Sequence, residues 1–598
     1  MKYVAQREGR YGHACHARIG AHGTGEGMTI STAPATVPKQ PPLPARWRHG
    51  LALTFVAVAA LLAWTEPPDY VDSFHYALHI VEHGQMAPQA DPFWDFGHVL
   101  WRPLGAAVMS VARAPLADWF GGNRLFMAAG SLIAISAVCT LFCAVVMYLL
   151  LLRLTNSNWI AGITTVAFIA SRAVLDYALT GISYCPGIAL QIAGLYLLLP
   201  AVTENRLRAG RALLGGCLFG LSVCLWFPFS FSIPGFLALL LLWGRDRTQF
   251  RAVLRFVIVA VAGMVLTMGA VYGAVMAAAH VTSLQALRAW IERSRYGIKP
   301  TRGVLRTAFA IPRSFFWMGD DGPLFKRFLF DPAHRPPVSQ ILASGWWKLV
   351  IVYGVLLAAA RALAKFAAGR SLLAALLVTA APMLYFAIFL FDPAPPIRYV
   401  AMFPLLYVGF ALLMVAGETR VFRTVLPAFF LVLLTVNAAG LSRLEGSSRF
   451  PEARQRLTEL NPYLRANDRI FILDLQDNIN RYMAFRPFDA ASRFSNSFEP
   501  IVPLQTDYVS QWRSRFASEA LKTWGAGGHV WVTRRILASS PHADWSWVEG
   551  DDPRVRWPGI QAFFNQFDLQ GGPPGEDGFA ELVQDGRDQA ALQSAAAQ

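Results

Sequence analysis

Between residues 47 and 442 the chain carries eleven apolar stretches, most of them long enough to cross a bilayer as helices. A span of about 30 Å of hydrocarbon takes about 20 apolar residues at helical rise. Inside lipid, every backbone N–H and C=O must find a partner within the protein, so segments of this kind fold as α-helices. The first runs from about Leu51 to Trp64 and is extended back through Trp47. The others are read at 124–152, 158–175, 182–200, 211–226, 228–243, 252–279, 346–362, 371–391, 399–416 and 423–442. The fold class expected is therefore mainly α: a polytopic helical membrane protein of about eleven transmembrane helices. With 55% hydrophobic and 15% charged residues, the composition excludes an ordinary soluble enzyme of this size.

Residues 1–45 are rich in Gly, Ala, Thr, Pro and His and have no apolar period, which predicts a disordered cytoplasmic tail. Met1 and Met28 both remain open as the start. A cleaved signal peptide would share the charge-then-apolar pattern around Arg46 and Arg48, but Ala63-Trp64-Thr65 is a poor cleavage site, so the first helix is read as retained.

Topology follows from charge. With the N-terminus inside, the cytoplasmic edges hold fifteen Lys or Arg, while the short outer edges hold Arg172 and Arg398. Eleven spans then place 65–123, 280–345 and everything after about 443 outside, in a bacterial-type inner (plasma) membrane, with a periplasmic or extracellular C-terminus. The net charge of +15 is scattered between apolar segments rather than gathered on one soluble face, so no nucleic-acid partner is expected; membrane lipids are. The outer loop 280–345 departs from the bias, with ten basic residues against four acidic ones, and an anionic ligand at that face is the simplest account. Five of the six cysteines lie in apolar segments and no CxxC pair occurs, so neither a zinc site nor a disulfide framework is indicated.

The domains expected are a tail at 1–45, a transmembrane domain at 46–442 with outer loops 65–123 and 280–345, and a soluble α/β domain at 443–598. In the last, Pro451–Leu464 reads as an amphipathic helix, Arg469–Leu475 as a strand, 507–524 as a helix and His529–Thr533 as a strand; beyond Gly571 the chain reads as a loose end.

The polar residues concentrate in DYVDSFHYALHIVEHGQMAPQADPFWDFGHVLWRPLG, residues 69–105. As a helix, its first part puts Asp72, His75, Tyr76 and His79 on one face and turns Ala77, Leu78 and Val81 elsewhere. A carboxylate near its reference pKa of about 4 is a weak base, and partial burial would strengthen it. Asp72 therefore reads either as a general base or as the cap of the helix that follows it. His75, His79 and Glu82 have helical metal-ligand spacing, so a divalent cation stands as an alternative to solvated interfacial histidines; no metal is assigned. Asp91, Asp95 and His98 could meet acceptor hydroxyls or simply form a polar surface. Arg398 could grip a phosphate with its guanidinium fork or anchor the interface. Arg295, Lys299, Arg302 and Arg306 offer a second phosphate or headgroup surface, Asp320-Asp321-Gly322 reads as a turn, and residues such as Trp94, Trp101 and Trp290 read mostly as an interface belt.

DSFHYALHIVEHG in an early outer loop, then GHVLWRPLG, then FDPAPPIRYVAMFPLL before a late helix, resembles the GT-C glycosyltransferases, in layout over roughly residues 50–440. Within them the bacterial relatives of protein O-mannosyltransferases and the lipid A aminoarabinose transferases are most alike. The resemblance implies a polyprenyl-phosphate sugar as donor lipid, a base in the first outer loop carried over to Asp72, and an envelope glycan, lipid or protein as acceptor. Asp72-Ser73 stands where the family often has Asp-Glu, which leaves any second acid without a counterpart. GHVLWRPLG stands in place of a His-Pro-Pro-Leu motif through His98, Arg102, Pro103 and Leu104, and the family's late Arg-Tyr matches Arg398 and Tyr399. The expected site is thus Asp72 as base, with His75, Tyr76, Asp95, His98, Arg102, Arg295, Lys299, Arg302, Arg398 and Tyr399 binding substrate. Expected activity is a single inverting sugar transfer without a certain cofactor. A transporter or flippase of lipid-linked precursors, or an inactive envelope scaffold, is the alternative.

Overall fold

The computed structural model describes residues 44, 46–66, 71–84, 88, 91–120, 122, 124–245, 249–294, 303–319, 324–325, 327–328, 335–390, 395–416, 420–442, 455–456, 459–465, 467–472, 498–500, 512–537, 553–572 and 578–597. The tail expected at 1–45 lies outside those residues except at Pro44, and of the helix expected at Pro451–Leu464 residues 451–454 and 457–458 lie outside them.

Every apolar stretch forms a helix. Among the described residues nine are long and apolar enough to cross a membrane: Trp47–Trp64, Arg124–Thr155, Tyr184–Thr203, Phe227–Arg245, Phe250–Ala278, Trp346–Leu363, Ala367–Leu390, Pro396–Val415 and Phe422–Gly440. A tenth is broken, Asn158–Ala170 and Arg172–Ala178 meeting at 68°, and Ala209–Leu225 is a shorter apolar helix. The break is a correction to the single span read at 158–175. Ser171 adopts extended backbone there, and its hydroxyl turns back to the carbonyl of Ala167 and meets the Tyr407 hydroxyl. The segment that follows then pairs Arg172 Nε with Asp176 Oδ2 at 2.8 Å, one helical turn apart.

Burial sorts these helices. Tyr184–Thr203 has 83% of its apolar window inside the protein and Trp47–Trp64 has 22%, so the first is a central column and the second faces outward. A helix that is apolar all round suits either place, which is why hydropathy alone does not separate them.

Among the described residues the C-terminal α/β domain forms a five-stranded sheet: β1 Arg469–Ile472, β2 Phe498–Pro500, β3 Val530–Thr533, β4 Leu569–Gln570 and β5 Phe579–Leu582, in the order β2-β1-β3-β5-β4. β1 runs parallel to β2 and β3, while β5 runs antiparallel to β3 and β4. Side chains alternate across a strand. On one face Ile470, Ile472, Trp531 and Phe579 join the bundle core; on the other Phe471, Val530, Val532 and Leu582 pack with Phe516, Ala520 and Leu592 from the helices Trp512–Gly525 and Gly586–Ala596. The domain is thus seated on the bundle by its sheet.

The loose end expected beyond Gly571 is corrected. Its strand β5 fills the interior of the sheet, and the last helix is capped by Asp585, whose carboxylate accepts from the backbone of Asp588 at 2.6 Å. Flanking Gly and Pro in GGPPGEDG hide a strand whose Phe579, Ala580 and Leu582 are buried.

Candidate functional site at the end of the bundle

The stretch rich in polar residues folds as the helix Val71–Val81, a short 3-10 turn Phe96–His98, and the helix Trp101–Val111. Asp72 is exposed and lies inside the first turn of its helix, so it does not act as the cap. A carboxylate there is favoured by the helix dipole. Its neighbour Ser73 is buried, with its hydroxyl accepting from the backbone of Gly181 at 2.7 Å.

The histidines of this helix, weighed as solvated and interfacial, are instead buried at His79 and half-buried at His75. Phe74, Tyr76, Ala77, Leu78, His79 and Ile80 are all buried, so beyond Asp72 the polar face turns into the protein. What it meets there is a closed network. Asp95 Oδ2 accepts from His98 Nδ1 at 2.7 Å and from Arg102 Nη1 at 3.0 Å, and its other oxygen accepts from the Ser294 hydroxyl at 2.5 Å. Arg102 is wholly buried; its Nε donates to His79 Nδ1 at 2.8 Å and its guanidinium carbon stands 4.5 Å from the Tyr76 ring centre. His98 Nε2 then faces the Tyr76 hydroxyl at 3.4 Å. Asp95, His98 and Arg102, expected to contact substrate, are therefore bound to one another, as the burial of three polar side chains requires.

This network sets the charges. Burial alone would raise the Asp95 carboxyl; the Arg102 guanidinium, with hydrogen bonds from His98 and Ser294, outweighs it and holds Asp95 well below the usual carboxylate range. Burial keeps His98 low although Asp95 pulls it up. His75, half-buried, is brought down to about 3 by burial and then by Arg102. Both imidazoles are neutral at physiological pH. With Nδ1 facing a carboxylate, His98 keeps its Nε2 lone pair toward Tyr76.

His75, His79 and Glu82, weighed for a divalent cation, have protein partners in this structure. The His79 Nδ1 lone pair is taken by Arg102, and Glu82 Oε1 is 2.5 Å from Arg515 Nη2. Among the described residues no group of three or more His, Cys, Asp or Glu is placed to hold a metal.

Arg398 and Asp72 both act on a residue that patterning missed. Tyr184, first in the central helix Tyr184–Thr203, has its hydroxyl hydrogen-bonded by the Arg398 guanidinium and lies within the electrostatic reach of Asp72. Arg398 also acts on His98. Its 3-10 turn, Pro396–Met402, leaves it half-buried, while the next residue, Tyr399, points to a separate apolar cluster with Ala310 and Ala387. Consecutive residues of a 3-10 helix diverge by about a third of a turn, so Arg398 and Tyr399 leave that turn in different directions. Arg295, Lys299 and Arg302, expected on the phosphate surface, lie outside the described residues, as do Asp320, Asp321 and Gly322.

Two further features were not legible. Ser294 crosses from the second long loop to fasten Asp95, and its hydroxyl also accepts from the backbone of Phe96 at 3.0 Å. His83 Nδ1 donates to Asp91 Oδ2 at 2.7 Å, and its ring stacks on Phe93 with ring centres 3.8 Å apart. A lone Ser and a loop His carry no periodic signal that would have marked them.

No family model matches the sequence, and no curated protein matches it. Among solved structures, the chain is similar to the crystal structure of ArnT from Cupriavidus metallidurans bound to undecaprenyl phosphate, at a TM-score of 0.44 and 13% identity, covering 90% of this chain and 98% of that one. A likeness of that strength fixes no residue correspondence, so function has to come from the side chains themselves.

Proposed function

We propose that this protein is a membrane glycosyltransferase that moves a sugar from a polyprenyl-phosphate donor to an envelope acceptor at the outer membrane face. One observation supports the reading: the half-buried Arg398 guanidinium hydrogen-bonds the Tyr184 hydroxyl, and the exposed carboxylate of Asp72 acts electrostatically on that same hydroxyl. Glycosyl transfer from a phosphate ester needs a base on the acceptor side and a fixed cation on the leaving-group side, and these are those two groups.

The acceptor hydroxyl gives its proton to Asp72 as its oxygen bonds to the anomeric carbon. The bond from that carbon to the phosphate oxygen breaks, and its electron pair leaves on the lipid phosphate, where Arg398 and the Tyr184 hydroxyl meet the charge. One displacement inverts the anomeric configuration. The buried network of Asp95, His98 and Arg102 holds the loop that frames these groups.

Purified protein assayed with a panel of labelled undecaprenyl-phosphate sugars tests this directly. Wild-type turnover that Asp72→Asn lowers by roughly 10²–10⁴-fold, with lipid-phosphate binding kept, is the expected result. Turnover unchanged in Asp72→Asn would remove the base from the scheme.

Transport of a lipid-linked anion draws on a different observation, the buried Arg172–Asp176 pair at the break of a bent helix. Proteoliposomes that translocate a fluorescent polyprenyl-phosphate sugar without transferring it would select that reading.

A further inference from the structure

The helix that presents Asp72 is gripped at its other end by the C-terminal domain. Glu82, one residue past Val81, is buried at 4% side-chain exposure and accepts from Arg515 Nη2 at 2.5 Å. Arg515 stands in the first turn of the helix Trp512–Gly525, whose Phe516, Ala517 and Ala520 are packed on the sheet, and the sheet's opposite face is sunk in the bundle core. Arg515 therefore reaches Glu82 from a fixed base. One turn further on, Glu519 is already engaged by Arg469 at 3.2 Å and Lys522 at 3.6 Å, so that helix supplies Glu82 with a cation and keeps its own carboxylate occupied.

The approach to the same helix is held by the end of the last span. Thr65 bridges Ser442, and the Glu66 N–H donates to the Leu441 carbonyl at 2.7 Å. The segment bearing Asp72 is thus fastened before its start and just after its end by the C-terminal third of the chain.

We infer that Arg515 is a positioning residue: through Glu82 it sets the height and tilt of the helix Val71–Val81, and so the place of Asp72 relative to Arg398. A helix is stiff over ten residues, about 15 Å, so a shift at Glu82 is passed to Asp72. A buried carboxylate that loses a paired cation is drawn toward water, which supplies the shift. The role given to Asp72 rests on the function proposed above; the grip itself does not.

The experiment compares full-length wild type with Arg515→Ala, Arg515→Lys and the reversal Glu82→Arg/Arg515→Glu in detergent. It follows melting temperature, hydrogen exchange of residues 71–84, and kcat and KM for whichever undecaprenyl-phosphate sugar the wild type uses. Expected for Arg515→Ala is faster exchange confined to 71–84 and a kcat lowered by about tenfold with donor KM and melting little changed. Lys or the reversal restores both. Unchanged exchange at 71–84, or exchange that rises across the whole C-terminal domain with a matching fall in melting temperature, overturns the inference in favour of a simple fastening. If no donor turns over, the function proposed above falls, and the exchange result still decides the grip.

Discussion

Arg102 shows what a buried cation does in this protein. Its guanidinium meets His79, Asp95 and the Tyr76 ring from one fully enclosed position, a geometry that the planar fork allows and an ammonium does not. Arg102→Met is expected to leave Asp95 a buried, under-paired carboxylate and to destabilise the protein by about 3–5 kcal/mol, read as a lowered melting temperature; a melting temperature equal to wild type would show the network to be dispensable. Arg398 differs because it is half-buried and faces Tyr184. Arg398→Ala should raise donor KM by roughly 10–100-fold with little change in melting, the size of a lost charged hydrogen bond; a KM that stays put would place the phosphate elsewhere.

The same residues give stability a pH dependence. His75 titrates near 6.5 when unfolded and near 3 when folded, and His98 is shifted the same way. Protonation of the unfolded chain therefore pulls stability down as pH falls below about 6.5, and their contribution is complete above it. Asp95 adds a second loss below its unfolded value of 3.8, since its folded carboxyl stays ionised further down. Thermal melts in detergent between pH 7 and 4 should fall steadily, and His75→Gln should flatten the slope. Equal slopes in the two proteins would contradict the assignment of His75.

At the scale of elements, helix packing turns on small residues where backbones touch. A Cβ on Gly216 would stand 1.8 Å from the carbonyl oxygen of Ala260, and one on Gly220 would meet Met264 and Thr267, so Ala209–Leu225 and Phe250–Ala278 lie in direct backbone contact. Such small-x-x-x-small seams are how membrane helices approach closely. Gly216→Leu should therefore lower yield and melting temperature sharply, whereas Gly210→Ala, where an added Cβ meets nothing within 4 Å, should be silent. If both behave alike, the seam is not what holds the pair.

At the scale of the whole molecule, the soluble domain shares its core with the bundle through Ile470, Ile472, Trp531 and Phe579. Burying side chains of that size contributes about 1.5–3 kcal/mol each, and separating the domains would expose them. A protease site inserted at 443–450 and cut should accordingly leave two fragments that still elute together in detergent without denaturant. Fragments that separate on gel filtration would mean that the sheet face is a loose contact.

The helical spans, the charge bias between their edges and the concentration of polar residues at 69–105 were determined by the sequence alone. Hydropathy and backbone hydrogen bonding in lipid act on each segment without reference to its neighbours. Which polar residues face solvent was decided by the tertiary structure. Asp95, His98 and Arg102 look like a substrate surface in one dimension and form a closed network in three, because a residue's exposure depends on what packs over it. Tyr184 begins an apolar helix and joins the site only when that helix stands beside Asp72 and Arg398. Strand β5 became legible only between its partners, since two or three alternating residues among glycines specify a strand only when a sheet edge is waiting to pair with them.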